Sequence, residues 1–164
     1  MSAPPEAPLA LEEALALLPP GLVPGRYPLE SSAGHLLRRA VQRHQALFQD
    51  HATGLGLTAP QFAALTRLAE LRRATQNRLG RSVAMDPATI QGVMKRLVLR
   101  GLVRTEKDPL DRRTLVLVIT PEGDEAVRTA RAAGIAANGA LMSDLNDAER
   151  AQLLALLRRL SLKP

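Results

Sequence analysis

Asp86 followed by Pro87 is the strongest structural instruction in this chain. An aspartate side chain accepts the unpaired backbone N–H groups of a helix's first turn, and a proline in the next position has no N–H to leave unsatisfied. A helix therefore starts there and runs to Arg100, with Ile90, Val93, Met94, Leu97 and Val98 inward, until Gly101 stops it. A shorter helix is expected ahead of it from about Thr75, with Leu79 and Val83 facing inward. Two short helices that meet at a tight turn, each with one apolar face, make a helix-turn-helix unit.

The next residues change period. Leu102 to Thr105 and Thr114 to Ile119 are rich in β-branched residues and are joined by the polar run Glu106 to Arg113, which predicts a two-stranded hairpin, a wing. Helices flank this unit on both sides. Ser32 to His51 reads as amphipathic, with Leu36, Leu37, Ala40, Val41, Leu47 and Phe48 on one face, and Gly54 and Gly56 end it. Thr58 and Gln61 form a capping box that opens a helix with Phe62, Leu65, Leu68 and Leu71 on its buried side. Thr120 and Pro121 start another through Ala126, Val127, Ala130 and Ile135, and Asn146 with Glu149 caps the last, through Leu153, Leu157 and Leu160. The fold class is mainly α, a winged helix-turn-helix with a two-stranded β wing and N- and C-terminal dimerisation helices. The outer helices carry more apolar surface than one small subunit easily buries, so they are expected to build a homodimer.

Charge points to the partner. The chain has 164 residues, a formal charge of +6 and a pI near 10.9. From Arg72 to Arg113 there are eleven basic residues against four acidic ones, whereas the rest of the chain holds eleven against twelve. All of the excess positive charge therefore lies on the helix-turn-helix and wing, the footprint of an anionic partner. The chain has no cysteine, which excludes a disulfide framework and a thiolate metal site. No apolar run is long enough to span a bilayer, and a cytoplasmic protein without membrane contact is expected. Residues 1–31 form a Pro-rich arm in which Leu11, Leu15 and Leu18 recur at helical spacing, a patch suited to packing on a second subunit. Residues 32–164 then form one domain, with 32–57 and 121–162 as dimerisation helices and 58–120 as the DNA-binding lobe.

The major groove admits one helix and shows a distinct donor and acceptor pattern for each base pair. The outward set of the Asp86-capped helix is Ala88, Thr89, Gln91, Gly92, Lys95 and Arg96. Gln91 can pair with adenine, Arg96 can reach guanine or phosphate, and Gly92 permits close approach. Thr75, Gln76 and Asn77 are candidate phosphate contacts, as are Lys107 and Arg112. A solvated polar helix face is the bland reading of the outward residues, and the cap, wing and charge focus together weigh against it.

The order of elements, the helix DPATIQGVMKRLVLRGLV, the wing DPLDRRTLVLVIT and the TPEG that follows resemble the multiple-antibiotic-resistance regulator (MarR) family of bacterial transcription factors over nearly all of Ser32 to Leu162. The resemblance implies a triangular homodimer with intertwined terminal helices, each subunit presenting one recognition helix and one wing. It also implies that Asp111 steadies Arg113 for the minor groove, where a narrow A·T-rich groove attracts a guanidinium. Two departures stand out. Family members often have Gly in the turn where this chain has Ala84, which fits if that backbone avoids positive φ, and the Pro-rich arm is longer than many members carry.

The resemblance further implies a small-molecule pocket between the dimerisation helices and the DNA-binding lobe, with aromatic acids as common effectors. His35, His44 and His51 all fall in the first long helix, His44 and His51 near the middle of its apolar stripe. His44 or His51, with Arg38, Arg39 or Arg43, is the expected seat of an effector carboxylate, although a histidine in such a stripe is more often structural. The function expected is a dimeric, sequence-specific regulator of double-stranded promoter DNA, a repressor relieved by a small aromatic acid, with no cofactor and no metal. An enzyme is disfavoured, because no nucleophile with its base, acidic cluster or phosphate loop appears. A winged helix that binds protein or RNA instead reuses the same fold. The near absence of aromatic stacking platforms argues against RNA.

Overall fold

The computed structural model describes residues 29–109 and 111–161. The Pro-rich arm and its Leu11, Leu15 and Leu18 patch lie outside the described residues. Two compact units divide after Arg39. In the first, a 3-10 turn at Leu29–Ser31 precedes helix α1, Ala33–His51, and the Ser32 hydroxyl donates to the Leu29 carbonyl at 2.8 Å. Leu36 and Leu37 there are 49% and 42% exposed.

The second unit, from Ala40, holds the rest of α1 and then α2 (Ala59–Leu71), β1 (Arg73–Ala74), α3 (Gln76–Ser82), α4 (Pro87–Leu99), β2 (Val103–Lys107), β3 (Leu115–Ile119), α5 (Pro121–Leu141) and α6 (Asp147–Ser161). The caps read from the sequence set these starts. Thr58 and Gln61 exchange both capping-box bonds, and Asn146 and Glu149 do the same at 2.9 and 3.0 Å. Gly54, Gly56 and Gly101 all take positive φ.

The wing differs from the expected pair of strands. β2 and β3 form the antiparallel hairpin, with Val103 opposite Ile119 and Lys107 opposite Leu115, but β1 adds a third strand through Arg73 opposite Val118 and Ala74 opposite Leu117. Two residues are too few to show alternation in a sequence, so only the pairing with β3 reveals this strand.

One core joins these elements. Leu65, Leu68, Leu79, Ile90, Leu97, Val103 and Ile119 are buried in a single cluster, with Leu57 and Ala130. A smaller cluster gathers Phe48, Ala52, Ala133 and Ala137. Leu55 packs against both. Val98, expected inward, is 37% exposed because it falls to one side of the stripe that Ile90, Val93, Met94 and Leu97 trace. The outer helices stay largely bare. α1 buries only Phe48 and α6 buries nothing, which leaves Val41 54%, Leu156 45% and Leu160 68% exposed. No described helix is long and apolar enough to cross a membrane.

Candidate DNA-reading surface and effector cavity

Helix α4, the expected recognition helix, is fixed at its start by one carboxylate. Asp86 Oδ1 accepts the backbone N–H groups of Ala88 at 3.0 Å and Thr89 at 2.9 Å, and the Thr89 hydroxyl donates to Oδ2 at 2.5 Å. The bonds from the Thr89 hydroxyl and backbone hold the Asp86 carboxyl below the usual carboxylate range. Ala88, Thr89, Gln91, Lys95 and Arg96 are exposed and Gly92 is half-buried. A Cβ on Gly92 would meet nothing within 4 Å, so no contact among the described residues calls for glycine there. Upstream, Thr75 caps α3 by accepting the Arg78 N–H at 3.3 Å. Thr75 and Gln76 are half-buried beside exposed Asn77.

The turn between α3 and α4 holds a strained residue. Ala84 sits at φ +53°, so the condition under which alanine would fit comfortably is not met. An L-residue with a Cβ crowds the following carbonyl in this region, where glycine does not.

At the wing tip, Asp111 shapes backbone instead of pairing with a guanidinium. Its Oδ1 accepts the Arg113 backbone N–H at 3.0 Å, its Oδ2 accepts the Thr114 hydroxyl at 2.8 Å, and its carbonyl accepts the Thr114 N–H at 2.9 Å. The Arg113 N–H, followed by the Thr114 hydroxyl, keeps the Asp111 carboxyl below its ordinary value. Among the described residues no ion pair engages the Arg113 guanidinium, which is exposed with Arg112 and Lys107. Behind the tip, Arg73 lies 3.9 Å from Asp108, and Arg104 pairs with Glu106 at 2.5 Å.

The TPEG segment locks α5 to the base of the wing. The Thr120 hydroxyl donates to the Gly101 carbonyl at 2.8 Å and accepts the Gly123 N–H at 3.1 Å, while the Thr120 N–H reaches the Leu102 carbonyl at 3.2 Å. Arg72, at φ +62°, pairs with Asp124 at 2.8 Å.

Beside this lobe, α1, α2 and α5 line an open cavity of about 350 Å³. Phe48 and Phe62, with ring centroids 5.2 Å apart, supply its apolar wall. Phe62 lies against Gly134, where a Cβ would come within 2.6 Å of the ring. His44, Thr66, Arg67, Glu70 and Asn138 provide the polar part, and Arg67 pairs with Glu70 at 2.6 Å. No protein group among the described residues partners the buried Thr66 hydroxyl oxygen.

These features have relatives. Residues 57–115 match the model of the MarR family. The chain is 37% identical over 134 residues to the HTH-type transcriptional repressor NicR of Pseudomonas putida, covering 82% of this chain and 85% of that protein. This chain belongs to the MarR family. Among solved structures it is similar to Bordetella bronchiseptica BpsR, whose DNA binding is regulated by 6-hydroxynicotinic acid, at 36% identity and a TM-score of 0.78 over 85% of this chain and all of that one. It is also similar to the PcaV regulator of Streptomyces coelicolor in complex with its natural ligand, at 32% identity and a TM-score of 0.75, covering 83% and 96%. MarR-family proteins are winged-helix DNA-binding transcription regulators and not enzymes, and the expected class is borne out.

The cavity gathers only part of the expected effector set. His44 lines it. His51, expected in the middle of the apolar stripe, is exposed, because at the end of α1 it is Phe48 and Ala52 that take the buried side. Arg43 faces Asp144 at 3.8 Å, and Arg38 and Arg39, in the first unit, are exposed. Periodicity along the chain does not reveal the cation that does line the cavity, Arg67, nor Phe62's role there, nor Asn138. The i,i+3 spacing of Arg67 and Glu70 is the one local signal, and it looks like an ordinary surface pair.

Proposed function

We propose that this MarR-family chain is a cytoplasmic homodimeric repressor that releases promoter DNA when a small hydroxylated aromatic acid enters the cavity at His44 and Arg67. The observation that carries this reading is the cavity itself, an aromatic wall of Phe48 and Phe62 facing His44, Arg67 and Glu70. Its volume of about 350 Å³ lies at the small end of ligand sites, which suits a one-ring molecule. A carboxylate suits Arg67 and His44, the ring stacks against phenylalanine, and Glu70 accepts a proton donor on the far edge of the ring. BpsR, regulated by 6-hydroxynicotinic acid, supports that chemical class.

In the DNA complex, Thr89, Gln91, Lys95 and Arg96 read the major groove, with Ala88 and Gly92 allowing close approach. Arg113 enters the minor groove on the tip that Asp111 shapes. Thr75, Gln76, Asn77, Lys107 and Arg112 hold phosphates. The exposed Val41, Leu156 and Leu160 meet a second copy, and the dimer's two recognition helices take half-sites about one helical turn, roughly 10 bp, apart.

The test is anisotropy with the chain's own upstream intergenic duplex against a scrambled one at near-physiological salt, with and without each of a panel of hydroxylated aromatic acids that includes 6-hydroxynicotinic acid. Specific binding relieved by one of these acids, with relief weakened in Arg67→Gln and His44→Gln, is the expected result. Specific binding that no aromatic acid relieves would remove the effector, and equal binding to both duplexes would remove the operator.

A further inference from the structure

Arg100 closes α4, in the most basic part of the chain, and although the residue is exposed its guanidinium bonds back onto the chain itself. Its Nη1 donates to the Gly56 carbonyl, and its Nη2 lies 3.4 Å from the Leu55 carbonyl. Both carbonyls belong to the loop that follows α1, more than forty residues away in sequence. A guanidinium presents paired N–H donors in a rigid fork, so one side chain can hold two successive carbonyls in a fixed relation. Gly56 makes room for it. Its φ is +64°, and a Cβ there would stand 3.3 Å from Arg100 Nη2.

The loop that Arg100 holds is itself anchored. Ala52 before it is 0% exposed and Leu57 after it 1%, while Leu55 packs against both apolar clusters. One turn earlier, Phe48 is 1% exposed and forms the cavity wall with His44. A continuous run of packed or hydrogen-bonded groups thus leads from the cavity wall through Leu55 and Gly56 to the C-terminal end of the recognition helix. Helix α4 has 13 residues and is about 20 Å long, so a tilt of roughly 5° about that end moves the base-reading end by roughly 2 Å. A displacement of that size is enough to break hydrogen bonds to base edges.

We propose that Arg100 is a positioning residue that links the effector cavity to the recognition helix, so that a shift of the α1 end on ligand binding reaches α4 through the Arg100 clamp on Leu55 and Gly56. This rests on the effector reading above. A residue needed only for folding would lower stability without separating ligand binding from DNA release, whereas the clamp's loss does separate them.

The experiment uses the full chain as wild type, Arg100→Met, which keeps the apolar stem, and Arg100→Lys, which restores a charged donor. Affinity for 6-hydroxynicotinic acid is measured by calorimetry without DNA, operator affinity by anisotropy with and without saturating acid, and Tm for each protein. For R100M we expect acid affinity within about threefold of wild type and a folded protein, but at least a tenfold smaller effect of the acid on operator affinity, partly recovered in R100K. An undiminished effect of the acid in R100M overturns the clamp and leaves the effector reading standing. Failure of R100M to bind the acid, with wild-type Tm, also overturns it, because Arg100 would then belong to the cavity. Wild type that binds no acid in calorimetry overturns the effector reading first and the clamp with it.

Discussion

A Cβ placed on Gly123 would stand 2.2 Å from the carbonyl oxygen of Leu102. No side-chain rotation relieves that contact, because the obstacle is backbone. The close approach is what lets Thr120 bridge Gly101 and Gly123, so the wing base and the first turn of α5 are built as one joint. Gly123→Ala is therefore expected to destabilise the fold by about 3 kcal/mol, the upper part of the usual range for overpacking. Urea denaturation monitored by circular dichroism checks this, and a midpoint equal to wild type would contradict the joint.

Ala84→Gly is expected to act in the opposite direction. Relief of the left-handed backbone at φ +53° is worth about 1–2 kcal/mol, and the greater freedom of glycine in the unfolded chain takes back about 0.5–1 kcal/mol. A net gain of up to about 1.5 kcal/mol follows, read as a higher Tm. A lower Tm would show that the Ala84 methyl makes a contact worth more than the strain.

The Asp86 cap predicts a pH dependence with a definite sign. Its folded-state carboxyl lies below the ordinary aspartate value of 3.8, so its stabilisation is fully present above that pH and is lost as pH falls through the depressed value. An asparagine at this position would cap the helix without titrating. Wild type should exceed Asp86→Asn in Tm at neutral pH, and the gap should close in acid below pH 3.8. A gap that stays constant down to the acid transition would remove Asp86 from the linkage. Asp111, depressed by the Arg113 N–H and the Thr114 hydroxyl, contributes with the same sign at the wing.

The wing separates two roles. Arg113→Ala should weaken operator binding about tenfold and relax A·T preference, as loss of a groove contact does. Asp111→Ala should produce a similar loss through the backbone, since Asp111 holds the tip that presents Arg113. Equal operator affinity of Arg113→Ala and wild type in anisotropy would exclude the minor-groove role.

What the sequence determined by itself was local or periodic. Asp86–Pro87, Thr58 with Gln61, Thr120–Pro121 and Asn146 with Glu149 each place a helix start through groups three residues apart or fewer, and each is found where those residues put it. The outward face of α4 follows from 100° steps, and the concentration of positive charge from a count along the chain. Tertiary structure decided the rest. Strand β1 exists only because Arg73 and Ala74 meet β3, and the left-handed backbone at Ala84 arises from how α3 must turn into α4. The cavity is the clearest case. His44, Phe62, Arg67 and Asn138 come from three helices, and Arg67 takes the place expected of His51 because helix ends and packing angles, not spacing along one helix, determine which side chains share a space.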